Sequence, residues 1–425
     1  MEIIRYPKRE EWPDITSRPN LNYEYLHDIV KEIFIEVQKK GDRAVKRYTK
    51  HFDRIDLETP SINKEEIEQA KNELSEELIS SIDTAYNNIK YFHESQISSS
   101  HKVDILPGVQ CWQKDIPIEE IGLYIPGGNF PLFSSVLMLG IPAKIAGCKK
   151  VVLCTPPNEE GKINPALLYA AQKANIDNIY AVGGIQAIAS MTFGTESIPK
   201  VNKIFGPGNQ YVVAAKLYST QFGTAIDMPA GPSELLIIAD DTCKAEFIAA
   251  DLLSQAEHGI DSQVMLVSWS EKIINEIIES VNKQLKTLDN KEVIERSLHH
   301  AKILLTLNKD EAIEIANFYA PEHLIIATEH DDYLADKVIN AGSVFLGEYS
   351  PESAGDYASG TNHTLPTNGY AKSFSGLTVN SFCKQVSFQR ISKQGLTSLA
   401  STITNLAKAE HLNAHVNSIR IRLKD

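Results

Sequence analysis

Four short stretches of the 425-residue chain carry side chains able to move protons or hold a metal ion. Gln255-Ala256-Glu257-His258-Gly259 ends a helical run, and Gln255 and His258, three apart, share a helical face that lets both reach one point. The same pattern fits a plain helix C-terminus with a favourable His and a Gly cap. Ala320-Pro321-Glu322-His323-Leu324 sets an acid beside an imidazole just ahead of a β-rich run. His323 can carry a proton near neutrality and Glu322 can activate a water; a His that merely caps a turn is the alternative. Ser353 to His363 is dense in Gly, Ser and Thr and reads as a long loop around Asp356, which suits a hard or borderline cation, with His363 an open second choice. Glu410-His411-Leu412-Asn413-Ala414-His415 spaces two imidazoles at i and i+4, either a metal face or solvated histidines of a tail. As a set, Glu257, His258, Glu322, His323, Asp356 and His415 offer N and O ligands without thiolate, which fits zinc or a similar divalent ion.

Three Gly-rich turns follow strand-like runs: Tyr124-Ile125-Pro126-Gly127-Gly128, Val182-Gly183-Gly184-Ile185-Gln186 and Gly206-Pro207-Gly208-Asn209-Gln210-Tyr211. The last sits where a dinucleotide-binding loop would, but it has Tyr211 in place of the third Gly, and Pro207 removes a donor N–H, so it fails as a G-x-G-x-x-G fingerprint. Each turn alone fits ordinary turn chemistry. Together, at strand ends of one module, they point to a crevice that holds a ligand.

These groups need elements to position them. Residues 24–96 carry helical periodicity, with Ile29, Val30, Ile33, Phe34 and Val37 at 3 and 4 spacing and a second run after Asn63. From Ile121 short β-rich runs alternate with helical ones: strands at 151–155, 179–182 and 203–205, helices at 165–173, 185–191 and 209–218. A second series runs from Ser233, with strands at 235–239, 264–267, 303–307, 324–328 and 344–346. The alternation predicts an α/β fold of two tandem Rossmann-like parallel-sheet modules lacking the G-x-G-x-x-G fingerprint, with N-terminal helices and a C-terminal helical tail bearing the stripe Leu396, Leu399, Ile403, Leu406. The expected units are an extension at 1–19, a first α/β domain at 20–123 plus 234–376 with the catalytic and metal loops, a second at 124–233 that binds NAD, and a dimerisation tail at 377–425.

Composition narrows the partners. With 42 Lys+Arg against 55 Asp+Glu the formal charge is −13, a surface that repels nucleic-acid phosphates and anionic membranes. Five dispersed cysteines without a C-x-x-C pair disfavour a disulfide framework or a thiolate zinc site and fit a reducing cytoplasm. No apolar h-region opens the chain and no apolar run reaches the length of about 20 residues that a membrane span needs.

Over nearly its whole length the sequence resembles the histidinol dehydrogenases. The matching stretches are Gly122 to Gly128, Ile204 to Tyr211, Ile226-Asp227-Met228-Pro229-Ala230-Gly231-Pro232-Ser233-Glu234, Gln255 to Gly259, Pro321 to Leu324 and Gly355 to Pro366. The resemblance implies oxidation of L-histidinol to L-histidine through bound L-histidinaldehyde by two NAD, the last step of histidine biosynthesis. It also implies one zinc per subunit on Gln255, His258, Asp356 and His415, with Glu322 and His323 as the catalytic acid/base groups. Tyr124, Gln186 and Asn209 then fall on NAD contacts. Ser233, His323 and Glu410 fall on substrate contacts, together with the zinc ligands, since the metal would hold the substrate. The family binds NAD without the Gly-rich fingerprint, in line with its failure here. The resemblance further implies a homodimer whose tails complete each other's active sites; it gives His411 no role. Two rival readings are a zinc hydrolase using Glu322 and a metal-bound water, and a nucleotide-binding module without chemistry.

Overall fold

The computed structural model describes residues 1–18, 23–97, 101–127 and 131–424. Gly128 and the expected boundary at 19/20 lie outside them. Among the described residues, two parallel sheets and one antiparallel sheet organise the fold.

The six-stranded sheet contains β1 (Glu2–Arg5), β9 (Glu234–Ala239), β10 (Gln263–Ser268), β11 (Lys302–Leu305), β12 (His323–Ala327) and β13 (Ser343–Leu346), in the order β1-β11-β10-β9-β12-β13, all parallel. The antiparallel sheet pairs β2 (Lys102–Leu106) and β3 (Val109–Pro117) with β14 (Cys383–Ile391) in the order β14-β3-β2. The five-stranded sheet contains β4 (Glu120–Tyr124), β5 (Lys150–Thr155), β6 (Asn178–Ala181), β7 (Lys203–Phe205) and β8 (Ala225–Ile226), in the order β6-β5-β4-β7-β8, again all parallel.

Apart from the added β1, both parallel sheets share one winding, in which the chain moves outward from the first strand and then reverses to its other side. Central strands of such sheets are covered on both faces, so β9 reads as the unbroken apolar run Leu235-Leu236-Ile237-Ile238-Ala239, and every one of its residues is buried. The predicted strands from 151 to 346 match observed ones to within two residues at their ends. Short caps define many helix starts: Asn164 before Pro165, Asn209, Ser270 and Asn308 each accept main-chain N–H groups of the first turn.

The expected grouping of 20–123 with 234–376 differs from the packing. Helix Tyr23–Lys40 lays Val30, Ile33, Phe34 and Val37 against helices Gly184–Phe193 and Gln210–Ser219, and helix Glu76–Glu94 lays Ile82 and Ile89 against helix Phe133–Ala146. Each fully buried Ile, Val or Phe contributes about 1.5–3 kcal/mol, so these stripes tie the N-terminal helices to the five-stranded sheet. The hairpin of β2 and β3 goes with the tail strand β14, and the first residues, expected as an extension, form the edge strand β1. An amphipathic stripe requires cover but does not specify which surface supplies it.

Candidate active site

Strands β9 and β12 are neighbours, and their register places His323 opposite Leu235, which brings Glu322 beside Ser233 and Glu234. The acid/imidazole pair therefore sits at the amino ends of these strands. In the five-stranded sheet it is the carboxyl ends of β4 and β7, on either side of the reversal in strand order, that carry the turns at Tyr124 and Gly206. A cavity of about 210 Å³ is lined by Gly206, Pro207 and Gly208 from the end of the five-stranded sheet, by Ser233, Glu322 and His323 from the six-stranded sheet, and by His258, Asp356 and His363.

Two helices finish its wall. Helix Ala245–Glu257 carries Gln255 in its last turn and His258 at its C-cap. The first part of the segment expected as a loop is instead helix Glu352–Tyr357, which sets Glu352 and Asp356 at i and i+4 on one face, while 358–363 is irregular as expected. Gly355 in this helix lies so close to the Phe345 ring that a Cβ would collide with it, so the small residues that suggested a loop serve close packing. Ligand atoms of His258, Glu352 and Asp356 all lie within 4.8 Å of one another. Glu352 was not expected: its place beside Asp356 emerges only once the segment is known to be helical. Glu257 is exposed.

Hydrogen bonding assigns the Gln255 amide with its NH2 on Glu352, at 2.9 Å to Oε1 and 3.3 Å to Oε2, and its oxygen 3.2 Å from Ser233 Oγ. Ser233 has one hydroxyl proton, and the shorter contact, 2.6 Å to Glu322 Oε2, takes it. The Gln255 oxygen thus keeps lone pairs for a cation. The main chain of Glu234 serves both members of the pair, its N–H donating to Glu322 Oε2 at 2.9 Å and its C=O accepting from His323 Nδ1 at 3.2 Å. That bond fixes the tautomer in which His323 Nε2 is the bare acceptor; this atom is buried, has no hydrogen-bond partner and lies 3.7 Å from Asp356 Oδ1.

Burial sets the electrostatics. It pushes the Glu322 carboxyl up to about 8 against the opposing Ser233 and Glu234 hydrogen bonds, and lowers His323 to about 4 against the charge of Asp356. Burial, reinforced by Asp356, Glu322 and Asp251, raises Glu352 well above the usual carboxylate range; Asp356 is raised as well, again by burial, with His323 and His258 opposing. His363 also lies in the cavity, with Nε2 3.4 Å from Ser135 Oγ, and burial lowers it to about 4. Buried carboxylates, an imidazole and an amide oxygen converging without thiolate match a borderline divalent ion such as zinc, whose charge would offset the desolvation that disfavours the ionised form of these acids.

The NAD candidates cluster around the Gly-rich turns. The Tyr124 hydroxyl accepts from Gly184 N–H at 3.1 Å and is pushed up to about 12 by burial. Gln186 is fully buried, yet both polar atoms of its amide lack a hydrogen-bond partner, which suits a group kept for a ligand. Asn209 is exposed, and its side-chain oxygen caps Tyr211 N–H and Val212 N–H. Gly206, at φ +123°, approaches the Tyr124 carbonyl so closely that no side chain fits there. The loop is braced from behind by a buried ion pair: Lys216 Nζ lies 2.5 Å from Asp227 Oδ1 and 2.8 Å from the Gly206 carbonyl, while Gly206 N–H donates to Asp227 Oδ2 at 2.8 Å.

Glu410 and His415 are exposed on the tail and line no part of the cavity within this one chain. Of the expected stripe, Leu396, Leu399 and Ile403 are half-buried and Leu406 is 62% exposed.

Two doubly wound sheets around a cavity with paired proton carriers and an N/O donor set define a two-sheet α/β enzyme. An acetylating aldehyde dehydrogenase from Geobacillus thermoglucosidasius shares this fold, with a TM-score of 0.50 and 12% identity over 89% of this chain and 94% of its own. The chain belongs to the histidinol dehydrogenase family, whose profile matches residues 16–423, and is an NAD-dependent oxidoreductase. It is 53% identical to the histidinol dehydrogenase of Bacteroides thetaiotaomicron over 423 residues, covering 100% of this chain and 99% of that one. It is 49% identical to that of Vibrio vulnificus strain YJ016 over 97% and 94% of the two chains. The crystal structure of histidinol dehydrogenase from Elizabethkingia anophelis superposes with a TM-score of 0.98 at 50% identity, over 100% of this chain and 98% of that one.

Proposed function

We propose that the chain oxidises L-histidinol to L-histidine through bound L-histidinaldehyde, using two NAD and one zinc ion per subunit. The observation that carries this reading is the convergence of Ser233, Glu322, His323, His258 and Asp356 on one cavity, with the buried Gln255 and Glu352 against Ser233 and His258. When bound, NAD would accept the two electrons of each oxidation as a hydride, and zinc would position the substrate as a Lewis acid.

The chain's own groups handle the protons. In the first oxidation His323 Nε2 takes the alcohol proton as the C–H bond breaks and the C=O bond forms; its Nδ1–H is held by the Glu234 carbonyl, which orients the ring. Glu322 then takes a proton from a water whose oxygen adds to the aldehyde carbon. The addition gives the hydrate's monoanion, which loses its C–H hydrogen as hydride to the second NAD and its remaining hydroxyl proton to solvent, leaving the carboxylate. Tyr124, Gln186 and Asn209 orient the nicotinamide nucleotide, and Gln255, His258 and Asp356 are the zinc ligands of this chain, with Glu352 facing them.

The fourth ligand in this reading is the partner subunit's His415, with the partner subunit's Glu410 against the substrate, in a homodimer with exchanged tails. The uncovered Leu406 and the absence of both groups from the cavity lining of their own chain support that arrangement. A cytoplasmic setting accords with five free cysteines. Among the described residues no helix is long and apolar enough to cross a membrane. The test is direct: zinc-loaded protein with histidinol and NAD should form two NADH per histidine. A protein that forms none under these conditions refutes the reading.

A further inference from the structure

We propose that Arg18, outside the cavity, is a positioning residue for the Glu322–His323 pair and acts through Glu234; the inference rests on reading that pair as the proton-transfer groups. The Arg18 guanidinium grips the Glu234 carboxylate as a fork, Nε to Oε1 at 2.5 Å and Nη2 to Oε2 at 2.8 Å, with the two side chains 14% and 1% exposed. The same Nη2 donates to the Tyr319 carbonyl at 2.8 Å, and the guanidinium lies 3.9 Å from the centroid of the Tyr319 ring. Glu234 Oε1 also accepts from Asn368 N–H at 2.8 Å.

Both ends of this grip lead to the catalytic pair. Glu234 is the first residue of β9, and its N–H and C=O are the groups that hold Glu322 and His323. Tyr319 ends the helix that leads into β12, and Ala320, at φ 57°, turns the chain into Pro321, Glu322 and His323. One planar guanidinium thus fixes the strand that carries the hydrogen bonds and the turn that carries the side chains. Arg18 is absent from the cavity lining, so its effect has to pass through these main-chain links. A lysine ammonium, a point charge, cannot hold a carboxylate as a fork and stack on a ring at once.

The test measures kcat per folded, zinc-loaded subunit in Arg18→Gln and Arg18→Lys, so that unfolded molecules do not enter the rate. A misplacement of about 1 Å at reacting groups costs on the order of a hundredfold in rate. The expected result for both variants is a fall in kcat of about tenfold or more, with the KM for NAD unchanged. Methylguanidine should restore part of the kcat of Arg18→Ala at concentrations that leave the wild type unaffected, a recovery that a general loss of packing would not show. Arg9→Ala, which removes an exposed ion pair with Glu314, should leave kcat unchanged. Wild-type kcat in either Arg18→Gln or Arg18→Lys, or no rescue of Arg18→Ala, overturns the inference. Glu322→Gln and His323→Asn are assayed alongside. If they keep full turnover, the reading of the pair falls; if they lose it while Arg18→Gln does not, the Arg18 inference alone falls.

Discussion

The hydroxyl of Ser233 donates to Oε2 of Glu322 across 2.6 Å, and burial pushes that carboxyl up to about 8 even with this bond in place. A base works only when ionised, so oxidation of histidinaldehyde should rise as pH increases through the pKa of Glu322. The Ser233 bond favours the ionised form and holds this limb down. Ser233→Ala should therefore move the limb to higher pH by about one unit, corresponding to about 1.4 kcal/mol of lost hydrogen bonding. The comparison is made on kcat profiles of wild type and variant in the same zinc-loaded state. A limb that stays in place would show that Glu322 is not the titrating base.

Glu352 is fully buried, receives the Gln255 NH2 and lies 3.8 Å from His258 Nε2. It thereby aims one proposed zinc ligand and faces another. Glu352→Gln keeps the size but not the charge, and zinc affinity should fall about 10- to 100-fold, the usual effect of removing a group that orients metal ligands. Competition with a chelator, read by elemental analysis, measures it. Unchanged affinity would remove Glu352 from the zinc site.

The contrast between Glu352 and Asp356 shows where sequence reading stops. Asp356 stands in a rare motif and is visible at once, whereas Glu352 acquires meaning only from a helical turn that the Gly- and Ser-rich composition disguised. The β/α alternation was legible because covered parallel strands need unbroken apolar runs, as β9 has. The sheet that the N-terminal helices cover was not, since Phe34 and Ile82 announce only that something must bury them. Glu322 and His323 were legible as a pair just ahead of a strand, but the presence of Ser233 and Glu234 of the neighbouring β9 beside them is a matter of strand register. Arg18 was invisible because its partner stands 216 residues away.

The Lys216–Asp227 pair is 3% and 1% exposed and ties the Gly206 turn to β8, so cutting one member leaves a buried charge alone. Asp227→Asn should lower unfolding stability by about 3 kcal/mol or more, read from urea denaturation. Adding Lys216→Met should recover most of that loss, because a methionine beside the neutral amide that Asp227→Asn introduces leaves no buried charge without a partner. A Asp227→Asn protein as stable as wild type would mean the loop is held by other contacts.

The tail yields the sharpest test of shared sites. Leu406 is 62% exposed, Leu412 41% and Ile421 58%, an apolar display that one chain does not cover, and Glu410 and His415 stand on the same segment. If tails are exchanged, each active site combines Glu322 and His323 of one subunit with the partner's His415. Take His323→Asn and His415→Asn, each inactive as a homodimer, and co-express them. In a mixed dimer one site receives both lesions and the other receives neither. Random pairing makes about half of the dimers mixed, so activity should return to about a quarter of wild type by symmetry counting in a two-fold dimer. If each tail serves its own chain, every site carries one lesion and mixing restores nothing. Absence of recovery in dimers verified as mixed by differential tagging would refute the exchanged tail while leaving Gln255, His258 and Asp356 in place as ligands.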